Sequence, residues 1–157
     1  MEKMTYLSEE DIFESLIKTT AEVFHIEEDS IRGRTRKREV VFARHCFHHV
    51  FKDVFFDVST TNIGRYTGRD HATILHSIKT SRAQLMYYKN GKPVNARYQM
   101  CFDKVKSAAI ELRDCRKKNH SEMLSDFRDD LISLIGEFRR LKTQIDVREE
   151  SRELAEV

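Results

Sequence analysis

Apolar residues recur at helical spacing along most of this chain, which predicts a succession of amphipathic helices. In the first predicted helix, residues 9–24, they fall at Ile12, Phe13, Leu16, Ile17, Ala21 and Phe24. Ser8 precedes this run, and a serine followed by acidic residues at 9–11 is typical of a helix N-terminus. A short helical turn over residues 25–31 follows, and Gly33 ends it.

A longer helix is predicted over about residues 36–56, with Thr35 as its N-cap. Its apolar face consists of Ala43, Cys46, Phe47, Val50, Phe51 and Val54. A short element over 57–66, capped by Ser59 or Thr60, leads through Gly68 into another helix, for which Asp70 is the predicted N-cap. That helix has one apolar face, at Ile74, Leu75, Ile78 and Leu85, and one small, polar and cationic face, at Ala72, His76, Lys79 and Ala83.

The last third of the chain follows a turn-rich segment at 87–93 and is predicted to contain two helices. One covers residues 95–117, and Ser121 caps a second. The second has apolar residues that alternate by three and four, as in a coiled-coil heptad: Leu124, Phe127, Leu131, Leu134, Phe138, Leu141 and Ile145. Three alternatives stay open for this stretch: it binds a second copy or a helical partner through residues 121–147, it packs back onto the rest of the chain, or it is disordered.

Composition supports an all-α fold, because the chain has one proline, five glycines and abundant helix-forming residues. The three cysteines form no CxxC pair, and the cluster His45, Cys46, His48 and His49 lacks a further ligand, so we predict no metal site and no cofactor. No apolar run reaches the roughly 20 residues of a membrane helix, and the N-terminus is acidic. A cytoplasmic protein without a membrane partner is expected.

Charge is distributed unevenly along the chain. Residues 1–31 hold nine acidic residues against Lys3 and Lys18, whereas residues 32–90 hold twelve lysines and arginines against four acids. The cations are densest in the run Arg34-Thr35-Arg36-Lys37-Arg38. A localised basic field of this kind is typical of a surface that binds a polyanion.

The stretch Thr67-Gly68-Arg69-Asp70-His71-Ala72-Thr73-Ile74-Leu75-His76 lies within this basic third of the chain. A short helix, a glycine-containing turn and a second helix with polar N-terminal residues form a helix-turn-helix pattern. The predicted long helix before it carries Arg44, His48 and Lys52 at i, i+4 and i+8, which predicts a polar stripe on one of its faces.

From about Ala21 to Leu85 the chain resembles the C-terminal DNA-binding domain of the bacterial replication initiator DnaA. The resemblance is carried by Gly-Arg-Asp-His-x-Thr-x-Leu-His at 68–76, by Ile63-Gly64, and by the basic residues 36–38 leading into Ala43-Arg44. It implies a Trp-repressor-like helix-turn-helix fold whose motif helix reads the major groove. It also implies that Arg44 enters the minor groove, that Lys52 lies near the DNA, and that Asp70, His71 and Thr73 contact bases or backbone.

The chain departs from the family pattern at several positions. One fewer residue separates Ile63-Gly64 from the motif, and one more separates Lys52 from Ile63. Ala72 stands where a hydroxyl residue is common, so the preferred DNA sequence is expected to differ from the family's. No Gly-x-x-x-x-Gly-Lys-Ser/Thr motif occurs, so we expect no nucleotide to bind and the initiator's ATPase domain to be absent.

These features predict a non-enzymatic protein that binds double-stranded DNA with a sequence preference, in replication initiation control or transcription regulation. We expect it in a bacterial or phage-encoded, nucleoid-associated setting. Predicted base-reading residues are Arg44, Asp70, His71, Ala72 and Thr73. Predicted backbone-contacting residues are Arg34, Arg36, Lys37, Arg38, His48, Lys52, Thr60, Thr61, Arg69, His76 and Lys79.

The predicted domains are a DNA-binding domain over 1–89 and a helical extension, coiled coil or hairpin, over 90–157. The alternative function is an interaction adaptor, in which the C-terminal helices bind a replication or regulatory protein and the helix-turn-helix has lost DNA binding.

Overall fold

The computed structural model describes residues 7–155. The fold is all-α apart from a two-stranded hairpin. The elements in chain order are α1 (Glu9–Phe24), α2 (Glu28–Arg32), α3 (Arg38–Val54), α4 (Thr60–Thr67), α5 (His71–Met86), β1 (Tyr88–Lys89), β2 (Lys92–Pro93) and α6 (Ala96–Ala155). The sequence-based prediction of a helix-turn-helix fold followed by a helical extension is confirmed.

Local capping sets most of the helix starts where the sequence predicts them. At α1, the Asp11 amide donates to Ser8 Oγ over 3.1 Å and the Ser8 amide donates to Asp11 Oδ2 over 2.9 Å, which forms a reciprocal capping box. Ser59, the first of its two predicted caps, begins α4 by accepting from the Asn62 amide. Asp70 caps α5 as predicted, accepting from the Thr73 amide over 2.6 Å.

Two predicted boundaries are wrong. The N-cap of α3 is Lys37 instead of Thr35, and the Lys37 side chain makes no capping hydrogen bond. The predicted break near residue 120, with Ser121 as a new cap, does not occur, because α6 runs continuously from Ala96 to Ala155. Asn119, His120 and Ser121 have only modest helix propensity, but residues 94–135 contain no glycine or proline that would force a break.

Aromatic stacking holds the first helices together around Phe13. The Phe13 ring stacks on Phe51 of α3 at 3.9 Å and on Tyr66 of α4 at 4.1 Å between centroids. Phe47 lies 5.7 Å from the same ring. Phe13, Phe47 and Phe51 are fully buried, so this aromatic cluster joins α1, α3 and α4 in the core.

The first part of α6 belongs to the same core. Its buried residues recur at helical spacing: Tyr98, Phe102, Val105 and Ala109. The Tyr98 hydroxyl donates to Ser81 Oγ over 2.7 Å, and the same Ser81 Oγ lies 2.9 Å from His49 Nδ1. This hydrogen-bond network ties α6 to α3 and α5 and was not predicted from the sequence.

By contact density the chain divides after Arg116 into two compact units. The predicted division into a DNA-binding domain over 1–89 and a helical extension over 90–157 stays a prediction. In the second unit, the predicted heptad residues are all exposed, from 43 % for Leu131 to 71 % for Phe138. Among residues 7–155, no helix combines the length and apolar character needed to cross a membrane.

Candidate nucleic-acid interface

The α4–α5 turn is built on two glycines. Gly68 ends α4 with φ of 64°, a left-handed conformation that glycine adopts without strain. A Cβ on Gly64 would lie 2.3 Å from the carbonyl oxygen of Arg69, so the backbone of the turn passes too close to α4 for any other residue. These contacts fix the angle at which α5 begins, as a helix-turn-helix requires.

The first turn of α5 exposes a compact polar surface. Asp70, His71 and Ala72 are exposed and Thr73 is half-buried. Hydrogen bonding with Thr73, through its side chain and its backbone amide, lowers the pKa of the Asp70 carboxyl. The carboxylate is therefore charged and oriented, while Ala72 adds only a methyl group to this surface.

His71 is held in place by the neighbouring helix. Its Nδ1 lies 2.6 Å from Thr60 Oγ1 at the start of α4, and this hydrogen bond fixes the ring orientation. Thr61 beside it is exposed. The predicted backbone contacts of α4 and the predicted base contacts of α5 are thus adjacent in space.

Farther along α5, His76 and Lys79 are exposed on the same polar face. The His76 ring lies 6.3 Å from the ring of His45 on α3. Burial, reinforced by His76 and Arg44, lowers the pKa of His45 to about 4. His45 is therefore neutral near pH 7 and adds no positive charge to the surface.

The segment 33–37, which we call the basic loop, is fastened by an arginine of α3. Arg44 is only 7 % exposed. Its guanidinium donates to the carbonyl oxygens of Ile31 and Gly33 over 2.8 Å each and to that of Ser30 over 3.0 Å. Burial, and secondarily the nearby Arg69, lower its pKa.

Arg69, at the start of the α4–α5 turn, donates to the same Gly33 carbonyl oxygen. Two arginines from different elements therefore converge on one backbone oxygen. This arrangement, which we call the arginine clamp (Arg44, Arg69 and the Gly33 carbonyl), places the basic loop beside the N-terminus of α5. Neither the clamp nor its geometry was predicted from the sequence, because no local pattern distinguishes an arginine that binds carbonyls from one that binds DNA.

The remaining cations of the basic loop are exposed. Arg34, Arg36 and Lys37 point away from the core, as does Arg38 at the start of α3, whose guanidinium lies 5.2 Å from the Phe42 ring centroid. Their positive charges stand close together, so an anion bound there would relieve their mutual repulsion.

Arg44, His48 and Lys52 do not form the exposed polar stripe that the sequence predicts. His48 is fully buried, and both of its ring nitrogens are without a hydrogen-bond partner among the described residues. Burial lowers its pKa to about 3, so it is neutral. Lys52 is half-buried and donates from Nζ to the carbonyl oxygens of Phe56 and Val58 over 2.9 and 2.7 Å, closing the connection between α3 and α4. The helical spacing was correct, but other parts of the chain cover this side of α3, so it does not face solvent.

Metal binding has no support in the described part of the chain, where no group of three or more histidine, cysteine, aspartate or glutamate side chains could hold an ion.

The glycine-defined turn, the capped second helix and its exposed first turn define a helix-turn-helix domain. Residues 13–80 match the family model of the bacterial DnaA protein helix-turn-helix. Over this segment the chain is therefore similar to the helix-turn-helix of bacterial DnaA proteins.

Curated relatives agree with this assignment. The chain is 40 % identical over 73 residues to the chromosomal replication initiator protein DnaA of Bacteroides thetaiotaomicron, a match that covers 46 % of this chain. It is 39 % identical over 72 residues to DnaA of Bacteroides fragilis and 37 % over 70 residues to DnaA of Deinococcus deserti, each covering 45 % of this chain. In all three cases the match spans 15 % of the relative's own length.

Proposed function

We propose that this protein binds double-stranded DNA with a sequence preference. The first turn of α5 enters the major groove, and the basic loop contacts the adjacent phosphates. The match of residues 13–80 to the DnaA-type helix-turn-helix family supports this proposal, since helices of this kind present their N-terminal residues to base edges.

The observation that carries the proposal is the arginine clamp. Because Arg44 and Arg69 bind the same carbonyl oxygen of Gly33, the exposed cations of the basic loop are held next to the exposed first turn of α5. A reading surface and a phosphate-binding surface thereby form one continuous site. A basic surface unrelated to DNA would not need this juxtaposition.

Affinity and specificity are divided between the two parts of the site. Arg34, Arg36, Lys37 and Arg38 neutralise phosphates and supply most of the binding free energy, which depends on salt. His71, Ala72 and Thr73 face the bases, together with Asp70. Ala72 offers a methyl group that can contact a thymine methyl but cannot form a hydrogen bond.

Arg44 serves DNA binding indirectly in this proposal. Its guanidinium is occupied by three carbonyl oxygens at 3.0 Å or less, so it positions the basic loop instead of entering the minor groove. Lys52 likewise binds two carbonyls, and the buried His48 contacts no phosphate.

Selection from a random pool of DNA duplexes tests the sequence preference. We expect the full chain to enrich a short asymmetric box, either alone or as a repeat, because each helix-turn-helix reads a few consecutive base pairs. Enrichment of no sequence above background at any salt concentration would contradict sequence-preferring binding.

Salt-dependent titrations of matched lysine variants test the phosphate contacts. Lys37→Ala is expected to weaken binding to all duplexes alike and to reduce the slope of log K against log salt by about one. Lys104→Ala, which removes an exposed lysine on α6, is the control and should leave the slope unchanged. Equal slopes for the two variants would refute the role of the basic loop.

The relatives are chromosomal replication initiator proteins, so we infer that DNA binding by this protein serves the control of replication at the bacterial chromosome. The competing proposal is a protein adaptor, which the exposed apolar residues of α6 favour. The salt titration separates the two, because an adaptor that has lost DNA binding shows no salt-dependent binding to any duplex.

A further inference from the structure

The C-terminal part of α6 carries a narrow apolar stripe over residues 124–145. It consists of Leu124, Phe127, Leu131, Leu134, Phe138, Leu141 and Ile145, each of which is 43–71 % exposed. Single exposed apolar residues are ordinary, but a contiguous row of seven large side chains on one helix face is typical of an interaction surface.

The spacing of the stripe identifies what kind of partner fits. The residues alternate strictly by three and four, which is the 3.5-residue repeat of a coiled-coil seam and narrower than the face of a helix that packs on a globular core. Assigning Leu124 to position a places Leu131, Phe138 and Ile145 at the other a positions. A second helix with the same repeat is therefore the complementary surface.

We propose that residues 121–147 bind the same segment of a second copy of this chain as a parallel, two-stranded coiled coil. The flanking charges support a second copy in this orientation. The acidic residues Asp130 and Glu137 occupy g positions, and the basic residues Arg128 and Lys142 occupy e positions.

In a parallel pair each g residue faces the e residue five positions later on the other chain. Glu137 of one copy then faces Lys142 of the other, and the symmetric contact forms as well. Asp130 faces the uncharged Ile135. No like charges meet across the seam at these positions.

An antiparallel pair centred on the same stripe brings like charges together. In that arrangement g positions face g positions, so Asp130 lies near Glu137 of the other copy. Likewise e faces e, so Arg128 lies near Lys142. Repulsion at four places, since each contact occurs twice, disfavours the antiparallel pair and selects the parallel one.

The proposed dimer has one consequence for DNA binding, and this consequence rests on the proposed function. A parallel dimer has two-fold symmetry and carries two reading helices, so it is expected to bind two boxes in inverted orientation more tightly than one.

Sedimentation equilibrium of the full chain without DNA tests the dimer itself. We expect the wild-type chain to dimerise in a concentration-dependent way and Leu131→Asp to weaken association at least about 100-fold, because a carboxylate would be buried at an a position of both copies. The matched control is Ile132→Asp, which changes an apolar residue 61 % exposed at the neighbouring b position and should leave association within about threefold of wild type.

Concentration-dependent dimerisation that Leu131→Asp weakens and Ile132→Asp does not supports the proposed coiled coil. A wild-type chain that stays monomeric, forms trimers or tetramers, or loses association equally in both variants overturns the proposal. A monomer would also favour a helical partner of another sequence. Circular dichroism of both variants verifies that α6 is still helical.

Disulfide cross-linking tests the orientation. In a Cys115→Ser background, Leu124→Cys should form a disulfide-linked dimer under mild oxidation, because equivalent a positions of a parallel pair lie within disulfide reach. In an antiparallel pair the two introduced sulfurs would be roughly 30 Å apart and could not be linked. The Cys115→Ser parent, which keeps the less exposed Cys46 and Cys101, is the control, and a dimeric Leu124→Cys chain that does not cross-link refutes the parallel arrangement.

These measurements contain no DNA, so their failure is distinguishable from failure of the proposed function. If the chain binds DNA but does not dimerise, Leu131→Asp and wild type bind single-box and inverted two-box duplexes identically. If both proposals hold, Leu131→Asp keeps single-box binding and loses only the preference for two boxes.

Discussion

Replacing Arg44 separates a structural role of this arginine from direct contact with DNA. The Arg44 guanidinium makes three hydrogen bonds of 3.0 Å or less to backbone carbonyls and is 7 % exposed. Hydrogen bonds to a charged group contribute about 1.5–3 kcal/mol each at most, and water compensates part of the loss when carbonyls near the surface are freed. We therefore expect Arg44→Ala to lower the unfolding free energy by about 2–4 kcal/mol.

Urea unfolding followed by circular dichroism measures this loss, and tyrosine fluorescence offers a second probe because the chain has no tryptophan. Arg44→Lys should recover only part of the stability, since one ammonium group cannot reach carbonyls spread over residues 30–35 as a planar guanidinium does. The control is Arg34→Ala, which removes an exposed arginine of the basic loop and should change stability by less than about 0.5 kcal/mol while weakening DNA binding.

A stable Arg44→Ala variant that no longer discriminates among DNA sequences would refute the structural role of Arg44. If Arg44→Ala leaves the unfolding free energy within about 0.5 kcal/mol of wild type but abolishes the discrimination among DNA sequences, Arg44 reads DNA and the clamp contributes little to the fold. Loss of stability accompanied by a uniform loss of affinity supports the clamp.

Gly64, His48 and Thr60 provide three further tests. Gly64→Ala should destabilise by more than about 2 kcal/mol, because its Cβ would lie 2.3 Å from a backbone oxygen, whereas Gly136→Ala, with open space around its Cβ, should stabilise α6 by up to about 1 kcal/mol; equal effects in urea unfolding would contradict this. His48 has a folded pKa of about 3, below its unfolded value of 6.5, so its contribution to stability is present above pH 6.5 and is lost as the pH falls toward 3; His48→Leu should reduce the pH dependence by about one proton, and an unchanged slope would refute neutral burial. Thr60→Val should remove the 2.6 Å contact with His71 and narrow the affinity difference between preferred and random duplexes without changing the urea midpoint, and an unaltered preference would show that this contact does not set specificity.

Local sequence patterns predicted much of the fold because the forces involved are local. The apolar spacing in α1 and the capping residues Ser8 and Asp70 act within one or two helical turns, and each was placed correctly. The helix-turn-helix was predicted from the short helix, the glycine turn and the family resemblance that the motif at 68–76 helps to carry. In the structure its glycine ends α4 and its aspartate caps α5.

The sequence failed where long-range packing decides between two uses of one residue type. Arg44 and Arg34 are chemically identical, but Arg44 binds backbone carbonyls of α2 and the basic loop, 9–14 positions before it, whereas Arg34 is exposed. The same is true of the buried His48 and the exposed His71. Helical spacing predicts on which face of a helix a residue lies, but it does not predict whether another part of the chain covers that face.

The arginine clamp determines which residues of the proposed DNA-binding site can be exchanged without loss of stability. The clamp uses side chains of α3 and of the α4–α5 turn but only a backbone oxygen of the basic loop. Side chains in the loop can therefore be exchanged without disturbing the contacts that position it, and so can those on the exposed face of α5. Substitutions at Arg34, Arg36 or Ala72 should alter affinity or preference at little cost in stability, whereas substitutions at Arg44, Gly64 or Arg69 should lower stability and binding together.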